Sequence, residues 1–157
     1  MYPSNVISST CGNILEENVE AVVNPVNCVG VMGAGLARQF KLAYPDNFIF
    51  YAEVCRLGKL SPGRVLVYSR GVMYNPKYIV NFPTKRYWKE PSCLEDIKSG
   101  LVSLLETIRE FNIKSIAIPP LGCGLGGLDW KIVKPLILET VQQVPDTHVV
   151  LFDKTVS

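Results

Sequence analysis

Apolar residues fall along this chain in short unbroken runs, separated by longer stretches with a helical rhythm. Val6 to Thr10, Ala21 to Asn24, Arg64 to Tyr68, Tyr78 to Phe82, Ser115 to Ile118 and Val149 to Phe152 each read as a strand. After the second run, Leu36, Ala37, Phe40, Ala43 and Tyr44 share one face of a helix that stops at Pro45, and Asp46 caps another that ends near Gly58. The clearest helix opens at Ser92-Cys93-Leu94-Glu95, a capping box, and carries the stripe Leu94, Ile97, Leu101, Leu104, Leu105, Ile108 and Phe111. Asp129 caps the turn before the last helix, whose start is expected near Pro135. Strands alternate with helices, with no internal repeat, low-complexity tract or linker. The pattern predicts an α/β fold, a three-layer sandwich with a central sheet between helices.

Two stretches break the rhythm with glycine, each directly after a strand. The first runs from Asn24 to Phe40, with Val29, Gly30, Val31, Met32, Gly33, Ala34, Gly35 and Leu36 between a strand end and a helix start. Backbone amides freed by glycine, together with the positive end of a helix dipole, suit a phosphate or pyrophosphate. The second runs from Pro119 to Leu128 and contains Leu121, Gly122, Cys123, Gly124, Leu125, Gly126 and Gly127. In an α/β sheet two such loops meet at one edge, and a diphosphate held between them is the natural ligand. A purely structural pair of glycine turns is the competing reading. A dinucleotide fingerprint is ruled out because Arg38 stands where a third glycine belongs, and there is no G-K-[ST] for a P-loop.

Composition narrows the classes further. With 157 residues, 48% of them apolar, the chain has material for one well-packed core, and we expect a single domain over residues 1–157. The uncharged stretch from Ala21 to Ala37 approaches membrane-spanning length, but its two Asn, one Pro and three Gly would leave polar groups unsatisfied in lipid. No segment reads as a secretion signal, and the five cysteines, with no C-x-x-C spacing and only His148 to help them, point to a reducing cytoplasm and no metal. The net charge of +2 hides an uneven distribution: residues 54–89 hold eight bases and no acid. Arg56, Lys59, Arg64, Arg70, Lys77, Lys85, Arg86 and Lys89 are either ordinary solvated charges or a rim that attracts a polyanion.

Taken together, Asn24-Pro-Val-Asn-Cys-Val-Gly-Val-Met-Gly-Ala-Gly, Asn81-Phe-Pro-Thr-Lys-Arg-Tyr-Trp and Leu121-Gly-Cys-Gly-Leu-Gly-Gly-Leu-Asp-Trp resemble a macrodomain, the ADP-ribose-binding fold, from about Thr10 to Phe152. Within that superfamily they resemble the antitoxin macrodomains of the DarG type, which remove ADP-ribose from thymidine in DNA. The resemblance implies a mixed sheet of about six strands and an ADP-ribosyl glycohydrolase needing no cofactor. It assigns the two glycine loops to the diphosphate and distal ribose, Asn27 to the asparagine that orients that ribose, and Lys85 to catalysis. Ile14, Pro83 and Thr84 line the ligand, and Asn13 falls where many macrodomains carry the aspartate that accepts from the adenine amine. Gly126 departs similarly, standing where glycohydrolases acting on protein carboxylates place an aspartate.

The residues themselves point the same way. No carboxylate lies between Glu53 and Glu90 or between Glu110 and Asp129, so a paired-acid glycosidase has little to draw on. Lys85 remains, either as a desolvated amine nucleophile or as an ammonium that stabilises the departing base. Cys28 and Cys123 are a weaker nucleophilic rival, with no His or acid nearby in sequence. Arg86, Tyr87, Trp88 and Lys89 are the candidate contacts to nucleic acid, with cations on phosphates and an aromatic stacked on a base. Alternatively, Trp88 packs under the following helix. The expected partners are ADP-ribose, ADP-ribosylated single-stranded DNA and a DNA ADP-ribosyltransferase toxin, acting on a monomer. A non-catalytic reader, or a hydrolase of protein carboxylate adducts, O-acetyl-ADP-ribose or ADP-ribose 1″-phosphate, is the alternative.

Overall fold

A computed structural model describes residues 7–156. The elements in chain order are β1 (Ile7–Gly12), β2 (Ala21–Val26), α1 (Gly35–Ala43), α2 (Pro45–Arg56), β3 (Leu66–Ser69), β4 (Tyr78–Pro83), α3 (Leu94–Glu110), β5 (Ser115–Ile118), α4 (Trp130–Val141) and β6 (His148–Thr155). One turn of 3-10 helix at Ile14–Glu16 follows β1. The six strands form one sheet in the order β1-β6-β5-β2-β4-β3. Every neighbouring pair is parallel except β3 with β4, so the sheet is mixed as expected.

Alternation along the strands divides the core between two faces. Ala21, Val23, Val80, Phe82, Ile116, Ile118, Val149 and Leu151 pack with α3 and α4 through Ile97, Leu101, Leu104, Ile108, Val133 and Ile137. Val22, Ile79, Ala117, Val150 and Phe152 face the other way, against Ile14 and Phe40 of α1. Further along that second face Val26 packs with Met32, Tyr51 and Leu60. The helical layers therefore cover both faces, completing the sandwich.

The order of the strands opens a crevice. From β2 the chain crosses to β4 on one side and returns to β5 on the other, which makes the β2/β5 boundary the switch point where such sheets bind ligands. There β2 pairs with β5 only at Ala21 and Val22, whereas it pairs with β4 along its whole length to Val26. Beyond Val22 and Ala117, β2 and β5 part, with one glycine loop on each side of the gap.

Several expectations need correction. Val6 lies outside the described residues. β2 and β4 run past the expected Asn24 and Phe82 because Pro25 and Val26 are held in register by Phe82 and Pro83, and β3 spans Leu66–Ser69 rather than starting at Arg64. Asp46 is not a cap: Tyr44 closes α1 and opens α2, Pro45 takes the first helical position, and Asp46 sits in the first turn. The capping box does not form, for Cys93 is the N-cap of α3, and Ser92 instead donates its N–H to the Gly126 carbonyl at 2.9 Å. Pro135 lies inside α4 on an exposed position, where water can satisfy the backbone carbonyl one turn earlier.

α3 approaches β4 closely enough that its one buried glycine is a packing residue. A Cβ at Gly100 would overlap the ring of the fully buried Phe82, with Cε1 at 2.7 Å. Gly100→Ala should therefore lose about 1–3 kcal/mol in a urea titration through overpacking, although helix propensity alone favours Ala by roughly 1 kcal/mol. A gain in stability would show that α3 does not rest on Phe82.

Candidate ligand crevice

Four segments leave the carboxyl ends of parallel strands and converge on the gap between β2 and β5. Loop 1 (residues 27–34) follows β2, and loop 2 (residues 119–129) follows β5. The segment 84–93 follows β4, and Asn13 with Ile14 follows β1. The loops touch across the gap, since a Cβ at Gly35 would lie 3.3 Å from the Leu125 side chain. Loop 1 is also zipped to the β4 segment, because the β2–β4 ladder continues as Thr84 N–H to Val26 O at 2.9 Å and Cys28 N–H to Arg86 O at 3.1 Å. Ser92 ties that segment to loop 2 through Gly126, so three of the motifs form one surface.

The two helices that begin here differ in polarity. Asp129 caps α4, its Oδ1 accepting from Lys131 N at 2.9 Å. α1 has no side-chain cap: Ala34 occupies that position, and the first internal bond is Arg38 N–H to the Ala34 carbonyl. The amides of Gly35, Leu36 and Ala37 have no intrahelical acceptor, which leaves a cluster of donors at the positive end of the helix. α1 is therefore the anion-facing terminus, and α4 has its own carboxylate there.

Loop 1 is anchored from beneath. Met32, expected at the ligand, sends its side chain into the core and is 1% exposed as a whole residue, so it anchors loop 1 and offers the surface no side chain. Asn27 is also buried. Its Oδ1 accepts from Tyr51 OH at 2.7 Å, Val29 N at 3.1 Å and Val31 N at 3.4 Å, while Nδ2 donates to Val31 O at 2.8 Å. One Nδ2 hydrogen remains for a ligand. Gly30 and Gly35, at φ +84° and +59°, supply the left-handed turns, whereas Gly33 has an ordinary φ and a Cβ there would make only an ordinary contact with Val31 Cγ1 at 3.5 Å. Val29 and Val31 are exposed.

In loop 2, Leu121, Gly122 and Gly126 are buried, Cys123 is half-buried, and Gly124, Leu125 and Gly127 face solvent. Gly124 too has an ordinary φ, with nothing within 4 Å of a Cβ, so a side chain there brings no backbone strain. At Gly126 the opposite holds: a Cβ would collide with Ser92 Oγ and the Gly122 carbonyl. Ser92 thus occupies the space that an aspartate at position 126 would need.

Pro83 and Thr84 are buried at the end of β4, and Lys85 is half-buried, its Nζ donating to the Trp88 carbonyl at 3.2 Å. Lys85 has no carboxylate partner among the described residues. Arg86 is engaged with Asp96 of α3 at 3.0 Å. Tyr87 and Trp88 stand 38% and 45% exposed with ring centroids 5.3 Å apart, and Lys89 Nζ lies 5.0 Å from the Trp88 ring. Trp88 does not pack under α3.

Asn13 caps the 3-10 turn, its Oδ1 accepting from Leu15 N at 3.1 Å, so its free atom is the amide donor. Burial pushes the thiols of Cys28 and Cys123 up to about 11, with Cys55 next in effect on the first and Asp129 on the second. Neither is a nucleophile at neutral pH. His148 is exposed at the start of β6, at the far edge of the sheet. Two cavities of about 510 and 280 Å³ also lie at that far edge, lined by Tyr74, Lys77 and Ser115 in one and by Asn112, Gln143 and Thr147 in the other. Neither is faced by a glycine loop or by an uncapped helix N-terminus, and we place the site at the carboxyl edge. No group of three His, Cys, Asp or Glu side chains among the described residues is arranged to hold a metal ion, and no described helix is long and apolar enough to cross a membrane.

Sequence reasoning passed over Tyr51, Asn47, Asn81 and Ser92. The signal for the first two was their i, i+4 spacing on one face of α2; the others had none. Because the Ser92 hydroxyl is buried without a partner, Ser92→Ala should be neutral or stabilising by thermal denaturation, relieving a desolvation cost of about 1–3 kcal/mol. A marked loss of stability would mean that the hydroxyl has a partner in solution.

The Macro domain family model matches residues 23–137. A DNA ADP-ribosyl glycohydrolase of Mycobacterium tuberculosis is 46% identical over 147 residues, covering 94% of this chain and 42% of the relative, so the chain spans less than half of that protein. The solved macrodomain of Thermus aquaticus DarG superposes with a TM-score of 0.91 at 46% identity, covering 94% of this chain and 97% of that one. Thermosipho africanus DarTG, solved in complex with ADP-ribose, gives 0.87 at 34% identity, covering 96% of this chain and 42% of that one. A family model matched from β2 to α4 and a shared fold at that identity agree with the converging loops: the chain belongs to the macro domain family, among its DarG-type members.

Proposed function

We propose that this chain is an ADP-ribosyl glycohydrolase that removes ADP-ribose from nucleic acid, with thymidine in single-stranded DNA as the modified nucleoside. The observation that carries the reading is the half-buried, carboxylate-free Lys85 beside an uncapped helix terminus in the β2/β5 crevice. The ligand spoken of for the Thermosipho relative and the activity named for the Mycobacterium relative support it.

In this reading the diphosphate lies on the amides of Gly35, Leu36 and Ala37 between loops 1 and 2. The free Nδ2 hydrogen of Asn27 orients the distal ribose, and Asn13 and Ile14 lie toward the adenine end. Water adds to C1″ of the ribose as the bond to the base breaks. Lys85, a hydrogen-bond donor here, offsets the negative charge that grows on the departing base and supplies its proton, and the proton shed by the attacking water then replaces the one Lys85 gave up. The space needed for an aspartate at Gly126 is filled, which disfavours the mechanism used on protein carboxylates. Exposed Tyr87 and Trp88 offer a stacking platform, and Lys89 and Arg86, still largely exposed beside Asp96, reach the flanking phosphates. The enzyme whose product is reversed would be a DNA ADP-ribosyltransferase, the activity fused to a glycohydrolase in a curated Thermosipho africanus relative.

Lys85→Ala should abolish release of ADP-ribose from a modified oligonucleotide while ADP-ribose affinity by calorimetry stays within about twofold. Parallel loss of both, or no turnover in the wild type, would make the chain a reader. Gly124→Glu should remove ADP-ribose binding by setting a carboxylate in the diphosphate space, with melting temperature unchanged because that space is open. Release should be faster from ADP-ribosylated DNA than from protein carboxylates, O-acetyl-ADP-ribose or ADP-ribose 1″-phosphate. With about two phosphates contacted, KM for DNA should rise roughly sevenfold between about 50 and 200 mM salt. Release from protein alone, or indifference to salt, would end the nucleic-acid reading.

A further inference from the structure

We propose that two buried side chains of α2, Tyr51 and Asn47, are positioning residues for this site, acting through separate hydrogen-bond relays: Tyr51 sets Asn27 and loop 1, and Asn47 sets the strand end that leads to Lys85. The inference rests on the hydrolytic reading above and deepens it.

Asn47 and Tyr51 are the two fully buried residues of α2, one turn apart on the face that meets the sheet. Leucine and phenylalanine would fill the same space without asking for partners, so the amide and hydroxyl are not needed for packing. Each is instead fully used. Tyr51 OH lies 2.7 Å from Asn27 Oδ1 and 2.9 Å from the Asn27 carbonyl. Burial raises its pKa far above the ordinary phenol value, which keeps the proton on the oxygen. That short bond turns the Asn27 oxygen inward and thereby fixes where its free Nδ2 hydrogen points.

The second relay is a reciprocal amide pair. Asn47 Nδ2 donates to Asn81 Oδ1 at 3.1 Å, and Asn81 Nδ2 donates to Asn47 Oδ1 at 2.8 Å. Asn81 also donates to the Leu66 carbonyl at 3.2 Å and accepts from Asn24 Nδ2 at 3.2 Å, which satisfies its whole amide. Asn24 and Asn81 are directly opposed in the β2–β4 ladder, three residues before Asn27 and four before Lys85. On the same sheet face away from this end the residues are apolar: Val22, Ile79, Ala117 and Val150. The polar pairing is thus confined to the strand ends that carry the site, where it fixes the separation of Asn27 from Lys85.

Two substitutions one turn apart on α2 give opposite kinetic signatures if this is right. Tyr51→Phe should weaken ADP-ribose binding about tenfold and raise KM on an ADP-ribosylated oligonucleotide, with kcat little changed, as expected for one lost hydrogen bond at the ribose. Asn47→Leu should lower kcat about tenfold or more, with ADP-ribose affinity within about twofold, because Lys85 is displaced from the leaving base. Asn47→Ser serves if the leucine variant does not fold, with the same split expected. Loss of affinity and kcat in proportion to the fall in melting temperature, or wild-type constants in both variants, would overturn the inference. Wild-type protein inert on every adduct would instead defeat the hydrolytic reading. Tyr51→Phe would then still be decided by calorimetry with ADP-ribose alone, unchanged affinity overturning the positioning role.

Discussion

The parallel pairing of β2 with β4 is the constraint on which the site depends. Six residue pairs hold the two strands in register to Val26 and Pro83, and two more backbone hydrogen bonds carry the pairing into the loops beyond. Parallel ladders are stiff when both faces are covered, and here helices cover both. Loop 1 and the segment carrying Lys85 therefore leave the sheet as one unit. β5 parts from β2 after Ala117, so its loop can stand apart and leave a gap. A rigid jaw and a separate one follow from a difference of four residue pairs.

How much of this was legible in the sequence follows from what each feature needs. Buried strands need only unbroken apolar runs, so all six were found, and glycine-rich turns after them placed both loops. The last residues of β2 and β4 were missed because Pro25 and Pro83 read as strand-ending until the neighbouring strand holds them in register. Ser92 and Glu95 satisfy the spacing of a capping box, but spacing cannot tell that the Ser92 backbone is claimed by Gly126 across the site. The long-range partners of Asn47 and Tyr51 had no local trace at all. What is local was readable; what depends on two distant segments meeting was not.

The structure divides the basic run between the two edges of the sheet. Arg70 is held at the far edge, its guanidinium 4.7 Å from the Tyr44 ring and 4.9 Å from Tyr74, while Lys77 precedes β4 at the same end. Lys85, Arg86 and Lys89 follow β4 at the loop edge, where Arg86 is occupied by Asp96, and Arg56, next to the Cys55 that packs on Gly30, is occupied by Glu53. A count of charge along the sequence thus overstates the field at the site. The aromatic pair, exposed beside the two free lysines, is a larger share of the recognition surface than composition suggested.

Gly33 and Gly124 stand apart from the other loop glycines, having neither an unusual backbone angle nor a neighbour in the way. The fold places no demand on them. In most proteins a change that retunes a binding site also draws on a thin margin of stability, and the two requirements compete. At these two positions they are uncoupled. Variation there is filtered by what occupies the crevice and by little else, so the lineage could exchange one ligand for another through them without first acquiring a more stable scaffold.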